Sequence, residues 1–503
     1  MVFSSTVFAF LFLPLVLALN FAVRAEIRNA FLVLASLVFY AWGAARYVPL
    51  LLGLVAINWL AGILIDRAGT QTRKQALLVA AILITTGGLV YFKYTNFIID
   101  NLNGALTPLG LTLPSMARLE LPLGISFFTF HLLSYVIDIY RGVAPAQRNP
   151  INFALYICFF PQMIAGPIIR YHDVAPQLTG RRITAEKFGS GVERFILGLG
   201  KKVLLANPFG QAADQIFALS SHDLSPIVAW FGLLSYAIQL YFDFSGYSDM
   251  AIGLGRMFGF EYLENFNYPF ISKSISEFWR RWHISLSNWF RDYLYLPLVF
   301  VFARRSMKKY GPRRRFDDRP QLVVVFLICG IWHGANWTFV VWGGIHGLFL
   351  MLERGRLGTW LKTAPAVLCH LYVLAVILLA WVFFRAESIS AALAFLTAMA
   401  GVSGTGSATW PLAAFVTPQL LLTLPVALLA LTPVFSSLTR DWRARALQAF
   451  GQLAPSGEGD AGAASWFDRS LLLARPPLLI GILAAALIQI SGEAYNPFIY
   501  FRF

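Results

Sequence analysis

Leu322-Val323-Val324-Val325-Phe326-Leu327-Ile328-Cys329-Gly330-Ile331-Trp332-His333-Gly334 is apolar up to the histidine near its end. Just upstream lies the densest cationic segment of the chain, from Arg304 through Arg315 to Arg319, tempered only by Asp317 and Asp318. An apolar run leaving such a loop reads as a membrane helix starting at the cytoplasmic surface, where Lys and Arg accumulate. From Pro320 to His333 is about thirteen helical residues, roughly 20 Å of rise, well inside a ~30 Å hydrocarbon core. An ionisable group at that depth is costly, and so a functional candidate by default. A lone imidazole there either bonds a neighbouring helix or faces a cavity. Trp332, Gly334, Asn336 and Trp337 favour the second, offering close backbone approach, an amide and aromatic walls. In an unbroken helix His346 would share a similar face ~20 Å away, so the two cannot share one metal unless the chain doubles back, at Gly343-Gly344 for example.

Composition extends this reading to the whole chain. Of 503 residues, 58% are hydrophobic and 13% charged, and the mean hydropathy is +0.64. Soluble domains carry about a quarter charged residues, so a soluble enzyme is excluded, as is disorder. The net charge of +15 resides mostly in loops between apolar runs, which points to membrane topology and anionic headgroups rather than nucleic acid. Cys158, Cys329 and Cys369 sit far apart in apolar surroundings and read as buried small hydrophobes. The run from Met1 to Asn20 precedes the first cation, Arg24, and reads as a retained helix. Further spans are expected near 28–44, 47–65, 75–92, 121–140, 150–170, 190–206, 225–243, 284–303, 321–342, 366–384, 412–434 and 471–491. Several contain Pro or Gly and should be broken or re-entrant. The expectation is an all-α polytopic membrane protein of about 11 to 13 transmembrane or re-entrant helices. No internal repeat is visible. The chain reads as one membrane domain, 1–503, with a core of about 120–350 and a flexible cytoplasmic connection at 436–470.

The middle third collects polar residues that break the apolar rule. Tyr241-Phe242-Asp243-Phe244-Ser245-Gly246-Tyr247-Ser248-Asp249 sets two acids among aromatics. Asn265-Phe266-Asn267-Tyr268-Pro269-Phe270 leads to Ser276-Glu277-Phe278-Trp279-Arg280-Arg281-Trp282-His283-Ile284-Ser285-Leu286-Ser287, and Trp332-His333-Gly334 follows. Other chemistries fare worse. H-E-x-x-H, close metal-ligand spacing, a P-loop and a G-x-S-x-G elbow do not occur, so no metal is expected. Gly253, Gly255 and Gly259 read as helix-packing residues. His131 and His370 read as core histidines, His172 and His222 as loop residues.

These segments, with Pro122-Leu123-Gly124-Ile125-Ser126-Phe127 and the Tyr500-Phe501-Arg502-Phe503 end, resemble the membrane-bound O-acyltransferases, in their bacterial polysaccharide-modifying branch. The resemblance spans most of the chain. It implies a ring of tilted helices pierced by a central channel, an essential histidine at His333 and a second functional histidine at His283. It further implies a multi-pass protein of the bacterial inner membrane. Acetyl groups would pass from cytoplasmic acetyl-CoA, a substrate rather than a bound cofactor, across the bilayer to an exopolysaccharide such as alginate. Periplasmic acetyltransferase or polysaccharide-modification proteins are the implied partners.

Acyl transfer to a hydroxyl needs a base for the attacking oxygen and donors for the developing oxyanion. His333 is the candidate base and His283 its assistant. Trp332, Asn336, Trp337, Asp243 and Arg281 are the candidate substrate-binding residues, with Asn336 or an indole facing the oxyanion and Arg280–Arg281 the donor phosphates. A proton-coupled transporter using His333 and Asp243, a non-catalytic scaffold, and an acyltransferase acting on a wall polymer or lipid are the alternatives.

Overall fold

The computed structural model describes residues 1–114, 117–220, 222–311, 316–402, 410–434, 466–492 and 495. The expected 436–470 connection falls almost wholly outside the described residues, as do Arg313 to Arg315 and the Tyr500–Phe503 end. Among the described residues the chain is helical, without strands. A π turn, Phe8–Phe12, leads into α1 (Leu13–Ala22), followed by α2 (Arg28–Ala44), α3 (Val48–Arg67) and the long α4 (Gln71–Leu106). Next come α5 (Ile125–Tyr140), α6 (Pro150–Cys158), α7 (Ala185–Gly200) and α8 (Asn207–Phe217). The 32-residue α9 (Pro226–Met257) is largely buried, whereas most of α4 faces outward.

The remaining elements are α10 (Ile275–Arg281), α11 (Ile284–Phe290), α12 (Leu296–Tyr310), α13 (Arg319–His333), α14 (Trp337–Glu353), α15 (Ala366–Arg385), α16 (Ile389–Met399), α17 (Pro418–Ala430) and α18 (Trp466–Gly492). Five stretches are long and apolar enough to cross a bilayer: Ala25–Arg67, Gln71–Leu109, Pro226–Met257, Ala366–Arg385 and Arg475–Gly492. The shorter apolar helices include α5, α13, α14, α16 and α17. Cys158, Cys329 and Cys369 are buried thiols, as their apolar settings foretold.

Three expected spans are redrawn. The 150–170 run breaks at Phe159: one helix ends at Cys158, a single helical turn, Phe160–Met163, holds Pro161, and Gly166 and Pro167 lie beyond it outside any helix, as broken backbone at membrane depth requires protein around it. The 284–303 run is two helices joined by a π turn. Its second, α12, has no buried residue: Leu296, Phe300 and Met307 are exposed along with Arg304, Arg305 and Lys308. The 321–342 run divides at Gly334–Asn336, where Asn336 caps α14 by accepting the Thr338 N–H at 3.1 Å.

Glycine sets the closest contacts. Gly191 faces Gly253, and Gly198 faces Gly246, so each pair packs backbone on backbone between α7 and α9; an added Cβ at Gly191 would lie 2.6 Å from the Gly253 carbonyl. Gly330 and Gly343 do the same for α13 and α14, which makes those two a tight antiparallel hairpin.

Contacts fix which helix ends lie together. Asp318 meets Tyr295 and Arg354, and Asp292 meets Arg141 and Arg170. That side gathers Arg141, Arg170, Arg291, Arg319 and Arg354 with the cationic stretch of α12, the pattern that the positive-inside bias associates with a cytoplasmic face. The tip of the hairpin points the other way.

Candidate active site

α13 contains 15 residues, roughly 22 Å of helix, so its last residue stops short of the far side of a ~30 Å core. That residue is His333, 6% exposed. Its ring is walled by Trp332, Trp342 and Phe384, with centroids 4.7, 5.0 and 5.2 Å away. Behind Trp332 stand Phe130 at 4.9 Å and Phe127 at 5.9 Å, both from α5. Phe130 in turn packs on Trp289 at 4.3 Å.

A second imidazole, His283, is buried at the start of α11 and holds a left-handed backbone, φ 44° and ψ 53°. A β-carbon residue adopts this conformation only when its surroundings impose it. Asn265 supplies the constraint. Its Oδ1 accepts from the Ser285 N–H at 3.2 Å and the Ser285 hydroxyl at 2.9 Å, while its Nδ2 donates to Ser248 Oγ at 3.0 Å. The same Oδ1 lies 3.1 Å from His283 Nδ1, which must therefore donate. In the neutral ring the basic lone pair then sits on Nε2. The Phe244 ring lies edge-on to His283 at 4.6 Å.

His346 completes the group. Its Nδ1 accepts from Trp279 Nε1 at 3.3 Å, and its ring lies 4.9 Å from that of Trp342. The chain thus doubles back at Gly334–Asn336, not at Gly343-Gly344, and His333 and His346 share Trp342 as a wall. Among the described residues, no hydrogen-bond acceptor reaches the buried indole N–H of Trp332 or Trp342, and no partner reaches His346 Nε2. Polar groups converging on one region without serving each other are what a reacting polar substrate needs.

The other sequence candidates are placed elsewhere. Asp243 forms a buried ion pair with Lys202 at 2.7 Å, its carboxylate engaged across α9 although the adjacent Phe244 touches His283. Asp249 is held by Arg194 at 2.8 Å and Lys201 at 2.7 Å. Arg281 bonds Glu277 at 2.9 Å and the Asn267 carbonyl at 3.1 Å. Besides capping α14, Asn336 donates Nδ2 to the Glu387 carbonyl at 2.8 Å. Trp337 is 53% exposed and donates to Asn101 Oδ1 at 2.7 Å. His131 accepts the Ile169 N–H at 3.3 Å in the core, whereas His172 bonds buried Asp138 at 2.8 Å. At the start of α13, hydrogen bonds from the Arg319 side chain and N–H hold the exposed Asp317 carboxyl down at about 2. No group of three or more His, Cys, Asp or Glu placed to hold a metal occurs among the described residues.

Sequence reasoning passed over Lys93. Its ammonium donates to the Trp332 carbonyl at 2.6 Å, the His333 carbonyl at 3.1 Å and the Ser126 hydroxyl at 3.4 Å. A cation inside a helix whose apolar run reads as ending near residue 92 was the available signal.

Residues 141–395 match the MBOAT, membrane-bound O-acyltransferase family. A protein of Azotobacter vinelandii named "Probable alginate O-acetylase AlgI" is 40% identical, over the full length of both chains. The "Peptidoglycan O-acetyltransferase" of Helicobacter pylori is 37% identical over 80% of each chain. The "Teichoic acid D-alanyltransferase" of Bacillus subtilis is 32% identical over 45% of this chain and 58% of its own. A full-length likeness of this order carries both the class of reaction, acyl transfer to oxygen in a lipid environment, and the setting, a multi-pass protein of the inner membrane. The chain belongs to the membrane-bound O-acyltransferase family.

Proposed function

We propose that the protein takes acetyl groups from cytoplasmic acetyl-CoA and passes them, through the site around His333, toward an exopolysaccharide of the alginate type. Periplasmic polysaccharide-modification proteins are the partners that would complete delivery. In the step at His333, the acceptor hydroxyl oxygen bonds to the thioester carbonyl carbon while the imidazole takes the hydroxyl proton. The tetrahedral intermediate then expels the thiolate of coenzyme A, which recovers the proton from the imidazolium. The indole N–H groups of Trp332 and Trp342 are the donors for the oxyanion. His283, with its lone pair directed to Nε2, positions the acceptor or assists the proton.

The observation that carries this reading is an imidazole at the end of a helix too short to cross the core, sharing the Trp342 wall with a second imidazole and set beside two indoles whose N–H groups have no acceptor among the described residues. The relatives named for alginate, peptidoglycan and teichoic acid support a polymer as the acceptor class, with a wall polymer the second choice. The decisive experiment is His333→Ala in cells, with the protein quantified in membranes and polymer acetylation measured. Loss of acetylation at normal protein level is expected. Full acetylation would overturn the assignment.

A further inference from the structure

A helix that stops inside a bilayer leaves its last four carbonyls without water. In α13 those belong to Gly330, Ile331, Trp332 and His333, and each is accounted for. The Gly334 N–H reaches the Gly330 carbonyl at 3.4 Å. The other three are served from α4: the Tyr94 hydroxyl donates to Ile331 at 2.7 Å, and the Lys93 ammonium donates to Trp332 and His333 at 2.6 and 3.1 Å. An ammonium has three N–H bonds, and the third points to Ser126 Oγ at 3.4 Å. A positive charge against a helix C-terminus also complements its dipole.

Ser126 is not an incidental acceptor. Gly124 begins α5 with φ 74°, and an added Cβ there would lie 2.6 Å from the Met163 carbonyl. That turn presents Ser126 to Lys93 while Phe127 and Phe130, one and four residues on, wall Trp332. The Pro122–Phe127 motif, which the reaction itself does not use, thus meets α13 at Lys93. Farther along α4, Phe97 packs on Trp337 at 5.9 Å and Asn101 accepts its indole N–H. One outward-facing helix therefore grips both sides of the hairpin turn.

Resting on the reading of His333 as base, we infer that Lys93 is a positioning residue for the transfer, tying the end of α13 to α5 and so fixing where the His333 imidazole stands. Lys93 touches the main chain of His333 rather than substrate. Its loss lets the hairpin tip shift, and a displacement of about 1 Å at a reacting group can cost about 10²-fold in rate.

The test uses the full-length protein in detergent or nanodiscs, with Lys93→Ala, Lys93→Arg, Tyr94→Phe and His333→Ala compared for acetyl transfer from labelled acetyl-CoA. Lys93→Ala is expected to lower kcat by about 10-fold to 10²-fold with the donor KM nearly unchanged. Added ethylamine should restore part of that loss, Lys93→Arg should keep most of the rate, and Tyr94→Phe should lose less than Lys93→Ala. Hydrogen exchange at residues 334–336 should quicken in Lys93→Ala, a readout independent of which residue is the base. Unchanged kcat and unchanged exchange in Lys93→Ala, beside an inactive His333→Ala, would overturn the inference alone. An active His333→Ala would overturn the reading on which it rests. If Lys93→Ala fails to fold, Tyr94→Phe decides: wild-type kcat and exchange there defeat the inference, and a loss in both supports it.

Discussion

Two regions of the molecule bury polar groups, to opposite ends. Between α9 and the segment formed by α7 and the π-helical turn Lys201–Ala206 that follows it, the charges satisfy one another: Asp243 with Lys202, and Asp249 with Arg194 and Lys201, around reciprocal glycine contacts. At the α13–α14 hairpin the glycines again bring backbones together, yet the polar side chains are not spent on each other. Two imidazoles share a wall, and two indole N–H groups have no acceptor among the described residues. A buried charge in a membrane helix is therefore a weak pointer to chemistry once its partner is known. Buried donors and bases converging without mutual satisfaction are a stronger one.

The contrast breaks most visibly at His333. His333→Ala should lower the acetyl-transfer rate by about 10² to 10⁴, the usual worth of a general base, while melting of the purified protein stays close to wild type. Steady-state transfer and a thermal melt on one preparation give both numbers. Asp243→Asn should show the reverse pattern. Removing one partner of a buried ion pair costs about 3–5 kcal/mol, so the melt falls, and a Lys202→Met change added to Asp243→Asn should recover part of it. Were Asp243→Asn to fold normally and lose turnover, Asp243 would join the site, as the sequence alone suggests, and the distinction between the two regions would fail.

How far the sequence reaches can be judged from these same residues. The depth of His333 is legible because a cationic loop and an apolar run set a start point and a rise per residue. Its neighbours are only partly legible. His283 and Trp332 come through their motifs. The turn at Gly334–Asn336 is hidden because apolar residues continue on both sides of it, and the Asn cap is one polar residue in a long apolar stretch. Pairing is where the reading stops. Lys202 lies 41 residues from Asp243, and nothing local announces that they meet. Lys93 is more distant still, 240 residues from the carbonyl it caps, so a lysine near the end of an apolar span looks like an ordinary boundary.

Asn265 sharpens the contrast at an intermediate level. It touches no reacting atom in the proposed mechanism, but it fixes which nitrogen of His283 carries the proton and shares its carbonyl oxygen with Ser285. Asn265→Ala frees the ring to rotate or exchange tautomers. The expected result is a fall in kcat of up to about 10²-fold, with a smaller change in the acceptor KM. An unchanged kcat would reduce His283 to a packing residue and leave His333 to act with the indoles alone.

The smallest effect is expected at the rim of the hairpin, and there the sequence and the structure part most clearly. Trp337 follows the histidine motif closely enough to look like a wall of the site, yet the residue is 53% exposed and its indole N–H is given to Asn101 on α4. Trp337→Phe keeps the ring contact with Phe97 and deletes one partly exposed hydrogen bond, worth about 1 kcal/mol. A slight drop in melting temperature with wild-type turnover is the outcome that fits a brace between α4 and the hairpin. A raised acceptor KM with an unchanged melt would mean the opposite: the tip of the hairpin meets the incoming polymer. The site would then extend outward along α4 rather than stopping at the ring of His333.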